Sequence, residues 1–293
     1  MTKILKLVQG IKILEVIFIL ILGLILEFVL YFSLKDLDIN PTIFKIGELQ
    51  VRYYGLMYII AIGLALFLLR KDFEKFKMNI NYREFEDAAF WTIIIAIIGA
   101  RIYHVIPNWD YYSKNPFEII AIWHGGLAIY GGIIGGLIGG YIICRIKNWN
   151  FLKIADIVMP YLALGQAIGR WGNFFNKEAY GPPTDLPWAI YIPYENRIKG
   201  FENYEYFHPT FWYESILNYI NFVFLLYFRN SKFYKNDGQI LSLYILNYGI
   251  IRFFIEFQRF DTDKFLGIRI AHIFSIIAII IGIFGLIISI KRK

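Results

Sequence analysis

The chain has 293 residues, 58% of them hydrophobic, and its mean hydropathy is +0.51. This is well above the usage of ordinary soluble proteins, and a soluble core of this length could not hide so much apolar surface. The net charge of +7 does not require a nucleic-acid partner, because basic loops beside anionic membrane lipids account for it. The composition therefore indicates an all-α, polytopic membrane protein.

Apolar runs long enough to cross a bilayer, roughly 17–25 residues, recur along the chain. They predict transmembrane helices at about 13–34, 54–70, 88–106, 119–144, 154–170, 211–228, 240–258 and 268–290. The first run is too long for a signal peptide, and no small-residue cleavage pattern follows it. We therefore expect 1–35 to form an uncleaved N-terminal transmembrane helix and 36–293 to be one membrane domain.

Charge in the loops predicts the orientation. If the N-terminus is cytoplasmic, the segments facing the cytoplasm carry most of the 30 lysines and arginines. The positive-inside rule therefore places both chain ends in the cytoplasm. The longest outer segment, 171–210, holds prolines, aromatics and charges, and we expect it to form a small extracytoplasmic cap. Polar residues collect at the same outer ends of the spans, which favours a site near that face.

Three arginines fall inside predicted spans, namely Arg101, Arg170 and Arg252. Charged side chains facing lipid are costly, so these should face a shared polar interior. Three separate salt bridges between helices are an alternative. A transporter for an anion or lipid headgroup would also suit intramembrane arginines, but would predict inverted repeats and polar groups at the midplane. A structural scaffold, in which the arginines merely pair, is a third possibility.

A glycine-dense stretch runs from Gly125 to Gly140. Glycines spaced by four residues allow helices to approach closely in lipid, which explains Gly135 to Gly140. Gly125 and Gly126 lie near the outer surface instead. They are expected to break the helix and to expose backbone N–H groups to an anion.

Arg252 and Glu256 are spaced i, i+4 on one helix face, and Arg259 follows three residues later. A simple ion pair is one interpretation of this spacing. Two arginines on one stripe could instead hold a phosphate, because arginine stays charged and offers a planar fork of donors.

The thirteen residues from Gly169 to Gly181, GRWGNFFNKEAYG, resemble the signature G-R-x-G-N-F-x-N-x-E-x-x-G of the bacterial prolipoprotein diacylglyceryl transferases. Other pieces are similar to motifs of that family and follow its order. They are Tyr54-Gly55-Leu56-Met57, Gly125-Gly126-Leu127 with Gly131-Gly132, His208-Pro209-Thr210 with Tyr213-Glu214, and Arg252 through Glu256-Phe257 with Arg259 and Asp261. Tyr213 and Glu214 are expected in the first turns of a helix, near the outer face. Together they span about 40–265, nearly all of the chain.

The resemblance implies a bundle of seven family helices in the bacterial cytoplasmic membrane, with the helix 13–34 added before it. It also implies a reaction between phosphatidylglycerol and prolipoprotein signal peptides. The thiol of the lipobox cysteine would attack glycerol C3, forming a thioether and releasing glycerol 1-phosphate. No metal and no cofactor is implied.

Roles for individual residues follow from the same resemblance. The residues carried over by position are Tyr54, Arg170, Asn173, Glu178, Gly181, Arg252 and Glu256. Arg170 and Arg252 would stabilise the departing phosphate, and Glu178 and Glu256 would hold these arginines. Asn173 would orient the headgroup or the cap. The expected substrate-binding residues are Tyr54, Asn173, Gly181, Gly125, Gly126, Arg101 and Arg259.

The proton acceptor is the open point. Many family members have a histidine where this chain has Tyr130, and a phenol with a pKa of about 10 is a poor base near neutrality. Either Tyr130 only orients the substrate, or another residue takes the proton, and His208 is the second candidate. The positive field of the arginines would lower the thiol pKa from about 8.5, so that a strong base is less necessary.

Overall fold

The computed structural model describes residues 13–47, 49–75, 80–260, 264–265 and 267–292. The helices are α1 Ile13–Leu34, α2 Tyr53–Lys75, α3 Tyr82–Val105, α4 Trp109–Tyr112, α5 Ile129–Ile146, α6 Phe151–Asn176, α7 Thr210–Arg229, α8 Gln239–Glu256 and α9 Ile270–Lys291. Short strands form three two-stranded sheets: β1 Thr42–Ile46 with β2 Leu49–Arg52, β3 Ile190–Tyr191 with β4 Tyr206–Phe207, and β5 Lys264–Phe265 with β6 Ile268–Arg269. The predicted all-α architecture is confirmed. The first twelve residues of the predicted segment 1–35 lie outside the described residues.

Within the described residues, six helical segments are long and apolar enough to span a membrane. They are Ile13–Leu34, Tyr53–Phe73, Tyr82–Tyr112, Ile129–Ile146, Phe151–Asn176 and Ile270–Lys291. The runs predicted at 211–228 and 240–258 form helices α7 and α8, which are less apolar. Both helices bury polar side chains, among them Glu214 and Asn218 on α7 and Glu256 on α8. These polar side chains of α7 and α8 therefore lie in the protein interior.

The run predicted as one helix at 119–144 is broken. Its first part forms 3₁₀ turns at Pro116–Ile119 and Ile122–His124, and α5 begins only at Ile129. Gly125 and Gly126 have φ of 92° and 76°, a region that residues with a Cβ rarely adopt. The expectation that these glycines break the helix is confirmed. The prediction of one continuous helix over 119–144 was wrong.

Helix α6 is longer than predicted. It runs on to Asn176, so Arg170 and Asn173 lie on its last turns. The segment between α6 and α7 therefore begins at Lys177, so the predicted cap would start there rather than at position 171. This extension keeps the polar residues of the signature on a rigid element.

The chain divides into two compact units. The first comprises Met1–Lys45, Val51–Leu68 and Ala155–Lys293, and the second comprises Ile46–Gln50 and Leu69–Ile154. The core of the first unit joins α1, the end of α6, the cap and the start of α7. Its buried members are Tyr31, Trp171, Phe174, Phe175, Tyr180, Ile190, Ile192, Phe207, Phe211 and Trp212. This aromatic core supports the polar residues at the end of α6.

In the second unit, α3 and α5 are in backbone contact through glycines. A Cβ at Gly131 would lie 2.3 Å from Gly99 O, and one at Gly135 would lie 2.7 Å from Ile95 O. Side chains there would force the helices apart. The predicted close approach of helices at Gly135 is thus confirmed.

Candidate active site

The signature segment ends α6 in a strained turn. Lys177 and Ala179 have φ of 52° and 55°, which costs non-glycine residues about 1–3 kcal/mol each. The backbone N–H of Glu178 donates to Asn173 O over 3.1 Å. The turn therefore folds Glu178 back onto the end of the helix.

Gly181 packs too tightly for a side chain. A Cβ there would lie 2.5 Å from Gln258 O and 3.0 Å from Thr210 Cγ2. Its N–H donates to His208 O over 2.8 Å. The structure gives Gly181 a packing role, and its predicted contact with substrate stays a prediction.

Four charged side chains from three helices form a chain of ion pairs. Arg170 Nη2 on α6 lies 2.7 Å from Glu214 Oε1 on α7, and Arg252 Nη1 on α8 lies 3.6 Å from Glu214 Oε2. Arg252 Nη2 also donates to Glu256 Oε2 over 2.6 Å. Both carboxylates are only 1% exposed. Arg170 and Arg252, hereafter the arginine pair, thus share a polar interior as predicted, and Glu256 holds Arg252 as expected.

The arginine pair keeps hydrogen-bonding capacity. Among the described residues, Arg252 Nη1 is buried and has no hydrogen-bond partner, since Glu214 is too distant for one. Buried donors without partners are rare in folded proteins. The side chains of Arg170 and Arg252 are 24% and 17% exposed, so parts of both side chains are accessible, whereas Arg252 Nη1 itself is covered and a ligand would reach it only after a local side-chain movement. An anionic oxygen at this position would satisfy the donor.

Asn173 connects the signature turn to the arginine pair. Arg170 Nη1 donates to Asn173 Oδ1 over 3.4 Å, and Asn173 Nδ2 donates to Glu178 Oε1 over 2.9 Å. Asn176 Nδ2 donates to the same Glu178 oxygen over 3.2 Å. Glu178 is therefore linked to Arg170 through Asn173, which agrees with the expectation that Glu178 helps to hold an arginine in place.

Three tyrosines interact electrostatically with the Arg170 side chain. The hydroxyls of Tyr54 and Tyr58 lie 3.1 Å apart, and both residues interact electrostatically with Arg170, as does Tyr248. Arg259 in turn interacts with Tyr248. The predicted residues Tyr54 and Arg259 are thus brought into the neighbourhood of the arginine pair.

His208 lies between β4 and α7. Its Nδ1 is 3.0 Å from the hydroxyl of Tyr213, which accepts a hydrogen bond from Trp188 Nε1 over 2.9 Å. Burial lowers the pKa of His208, so its imidazole is neutral near pH 7. His208 also lines a cavity of about 470 Å³ whose walls are mostly apolar. The lining residues are Phe28, Phe32, Leu186, Trp188, His208, Trp212, Tyr213, Ile216 and Gln258.

Arg101, in the second unit, donates to backbone carbonyls. Its Nε reaches Ile119 O over 2.9 Å, and its Nη1 reaches Gly125 O and Gly126 O over 2.6 and 2.8 Å. Its Nη2 donates to Glu118 O. Arg101 is 6% exposed. The geometry makes Arg101 the organiser of the loop 118–126, and its expected substrate contact stays a prediction.

Two further predictions concern the same unit. The N–H of Gly125 donates to Ile122 O over 3.1 Å. It is therefore not available to an anion, and the expectation that it would be exposed for this purpose was wrong. Tyr130 lies on the first turn of α5, with its ring centroid 6.3 Å from that of Tyr103. A proton-accepting or orienting role for Tyr130 stays a prediction.

Sequence reasoning missed two residues of this site. It placed Glu214 in the first turns of a helix near the outer face but did not count it as a site residue, although two intramembrane arginines need counter-charges. Tyr248 precedes Arg252 by four residues on α8, so the two share a helix face. The i, i+4 spacing of Arg252 and Glu256, continued by one step towards the N-terminus of α8, would have identified Tyr248.

Comparison with known proteins shows the family of the chain. Residues 41–288 match the family model described as prolipoprotein diacylglyceryl transferase. A phosphatidylglycerol–prolipoprotein diacylglyceryl transferase of Fervidobacterium nodosum is 45% identical over 92% of this chain and 92% of its own length. The enzyme of the same name from Finegoldia magna is 47% identical over 85% of this chain and 94% of its own length. The chain therefore belongs to the prolipoprotein diacylglyceryl transferase family.

Proposed function

We propose that this protein transfers the diacylglyceryl group of phosphatidylglycerol to the lipobox cysteine of prolipoprotein signal peptides. The cysteine sulfur bonds to glycerol C3 while the C3–O bond breaks. The products are a thioether-linked diacylglyceryl cysteine and glycerol 1-phosphate. The observation that carries the proposal is the arginine pair on Glu214, with its unsatisfied donor at Arg252, in a chain of this family.

The arginine pair supplies the main catalytic effect. Breaking the C3–O bond adds negative charge to the departing phosphate, so fixed cations beside it stabilise the transition state more than the ground state. Glu214 and Glu256 hold the two guanidinium groups from buried positions, which keeps them oriented before the reaction begins. Tyr54 and Asn173 would orient the headgroup against Arg170, a role supported by the interaction of both residues with the Arg170 side chain.

The thiol proton passes to His208 in this proposal. For His208 to accept it at Nε2, the hydrogen of the neutral ring must sit on Nδ1 and donate to the Tyr213 hydroxyl. That oxygen can accept from both His208 and Trp188, so the observed distances are compatible with this tautomer. Since the arginine pair also lowers the thiol pKa, a weak base suffices.

The site is proposed to lie near the outer face of the bacterial cytoplasmic membrane, with both chain ends in the cytoplasm. The end of α6, the start of α7 and the end of α8 carry the arginine pair and its partners, so the site lies at one end of these helices. The excess of lysine and arginine in the alternate loops supports an extracytoplasmic location for this end. The lipid donor would then enter sideways between helices.

A product assay tests the proposal. Purified protein is incubated in detergent with phosphatidylglycerol and a lipobox peptide, and the peptide mass is followed. We expect a mass gain of one diacylglyceryl group, and no gain for a peptide with serine in place of cysteine. A matched reaction with phosphatidylethanolamine tests the choice of donor. If the cysteine peptide stayed unmodified under all conditions, the transferase function would be rejected. The transporter and the structural scaffold would then be the remaining hypotheses.

A further inference from the structure

Helix α1 lies outside the residues matched by the family model, yet it is built into the core of the first unit. Its Tyr31 is fully buried, and the Tyr31 ring stacks on Trp212 at 4.0 Å with an interplanar angle of 9°. Tyr219 on α7 donates to Ile19 O over 2.6 Å. The helix is therefore a packed part of this protein and not a loosely attached anchor.

Glu27 on α1 contacts both helices that carry the first ion pair of the site. Its Oε2 accepts a hydrogen bond from Trp171 Nε1 over 3.1 Å, and its Oε1 lies 2.8 Å from Ser215 Oγ. Trp171 directly follows Arg170 on α6, and Ser215 directly follows Glu214 on α7. The Glu27 carboxyl group thus links α6 to α7 through the residues that directly follow Arg170 and Glu214.

The number of hydrogens available to the contacts of Ser215 favours a neutral carboxyl group at Glu27. Ser215 Oγ lies 2.8 Å from Glu27 Oε1 and also 2.8 Å from Ala167 O. A hydroxyl has a single proton, and a carbonyl oxygen can only accept. If Ser215 donates to Ala167 O, the proton in the other contact must come from Glu27. A carboxylate at this point of an apolar spanning helix would also be far more costly than a hydrogen-bonded carboxylic acid.

We infer that Glu27 is a positioning residue of the transferase: as a neutral carboxylic acid it fixes α6 to α7 behind Arg170 and Glu214. This inference rests on the proposed function, since the ion pair matters to turnover only if it acts on the departing phosphate. Glu27 does not touch the substrate. Its effect comes from holding two backbones in register, and displacements of about 1 Å at a catalytic group can cost on the order of 10²-fold in rate.

Two substitutions of Glu27 separate this role from simple packing. In Glu27→Gln, the amide N–H₂ can donate to Ser215 and the amide oxygen can accept from Trp171, so kcat should stay within about twofold of wild type. In Glu27→Leu both hydrogen bonds are lost, and kcat per folded molecule should fall about 10- to 100-fold with little change in KM. Tyr31→Phe is the matched control on the same helix. It loses only the bond to Trp188 O in the cap and should lower the melting temperature with kcat retained.

Infrared spectroscopy reads the protonation state directly. A difference spectrum between wild type and Glu27→Gln should show the C=O stretch of a protonated carboxylic acid that the variant lacks. If Glu27→Leu does not fold, Trp171→Phe removes the indole N–H, keeps a ring in the core, and should lower kcat in the same way.

The outcomes are distinct. Unchanged kcat in folded Glu27→Leu or Trp171→Phe would overturn the positioning role. A loss in Glu27→Gln as large as in Glu27→Leu, or a carboxylate signal in the spectrum, would overturn the neutral acid. Failure of wild type to modify the peptide would instead reject the proposed function.

Discussion

Arg101 and the arginine pair look alike in the sequence but are held in different ways. The described hydrogen bonds of Arg101 all go to backbone carbonyls of the loop 118–126. Arg170 and Arg252 are held by the buried carboxylates of Glu214 and Glu256, and one donor of Arg252 has no described partner. An arginine fully engaged with carbonyls shapes the backbone. An arginine held by carboxylates, with a donor to spare, can bind an anion.

This difference separates two costs of removing an arginine. Loss of Arg101 should act on the conformation of a loop, and hence on stability. Loss of either member of the arginine pair should act mainly on the chemical step, although it also lowers stability, because it leaves the buried Glu214 carboxylate with one partner fewer. The following predictions test that separation, starting with the largest expected effect.

Glu214→Gln should be the most damaging change in the polar interior. Removing one partner of a buried ion pair costs about 3–5 kcal/mol, and here one carboxylate serves two arginines. Thermal unfolding in detergent should show a much lower melting temperature and almost no remaining turnover. Glu256→Gln is the matched variant, because it leaves Arg252 its contact with Glu214 and should be milder. Equal stability of wild type and Glu214→Gln would contradict the bridging role.

Arg170→Ala and Arg252→Ala should each lower kcat about 10²- to 10³-fold. This is the effect of removing one oriented donor, about 2.7–4 kcal/mol in transition-state stabilisation. Steady-state kinetics on monodisperse protein measures the change, with the lysine variants as controls for charge. Lysine cannot reproduce the planar fork and should restore only part of the rate. Full turnover in either alanine variant would remove that arginine from the mechanism.

Arg101→Lys should lower stability more than catalysis. The change keeps the charge but loses the fork that reaches several carbonyls, and a hydrogen bond to a charged group contributes about 1.5–3 kcal/mol. The melting temperature should fall, while kcat per folded molecule changes by less than about tenfold. If Arg101→Lys instead lost as much kcat as Arg252→Ala at an unchanged melting temperature, the contrast between the two regions would be wrong.

His208→Ala should remove the acid limb of the pH profile. A base must be neutral, and burial holds the His208 pKa below its usual 6.5, so wild-type kcat/KM should decline only below that pH. At pH 7 the loss should be about 10- to 100-fold, at or below the 10²- to 10⁴-fold typical of general bases, because the arginines already assist the thiol. An acid limb that persists in the variant would assign the proton to another group.

Tyr130→Phe should have the smallest effect. If Tyr130 only orients substrate, its hydroxyl contributes one neutral hydrogen bond of about 0.5–1.5 kcal/mol, a loss of roughly 2- to 10-fold in kcat/KM. The same peptide assay measures it, over a pH range that includes pH 7. A loss of about 10³-fold would make the phenol the proton acceptor and His208 a bystander.

Sequence reasoning succeeded where the relevant residues are neighbours on one helix. The i, i+4 spacing of Arg252 and Glu256 predicted their pairing, and the glycine spacing predicted a close helix contact on α5, although not that α3 is the partner. It failed where distant segments meet. Glu214 binds arginines from two other helices, and Glu27 reaches residues more than a hundred positions away. Hydropathy also read 119–144 as one helix, because it does not register the positive φ of Gly125 and Gly126.

A structure with glycerol 1-phosphate bound would show whether the arginine pair receives the departing phosphate. The account predicts a phosphate oxygen within hydrogen-bond distance of Arg252 Nη1, a second contact to Arg170, and Glu214 still between the two guanidinium groups. A phosphate held by Arg101 or by loop backbone alone, with Arg170 and Arg252 paired only to carboxylates, would contradict it.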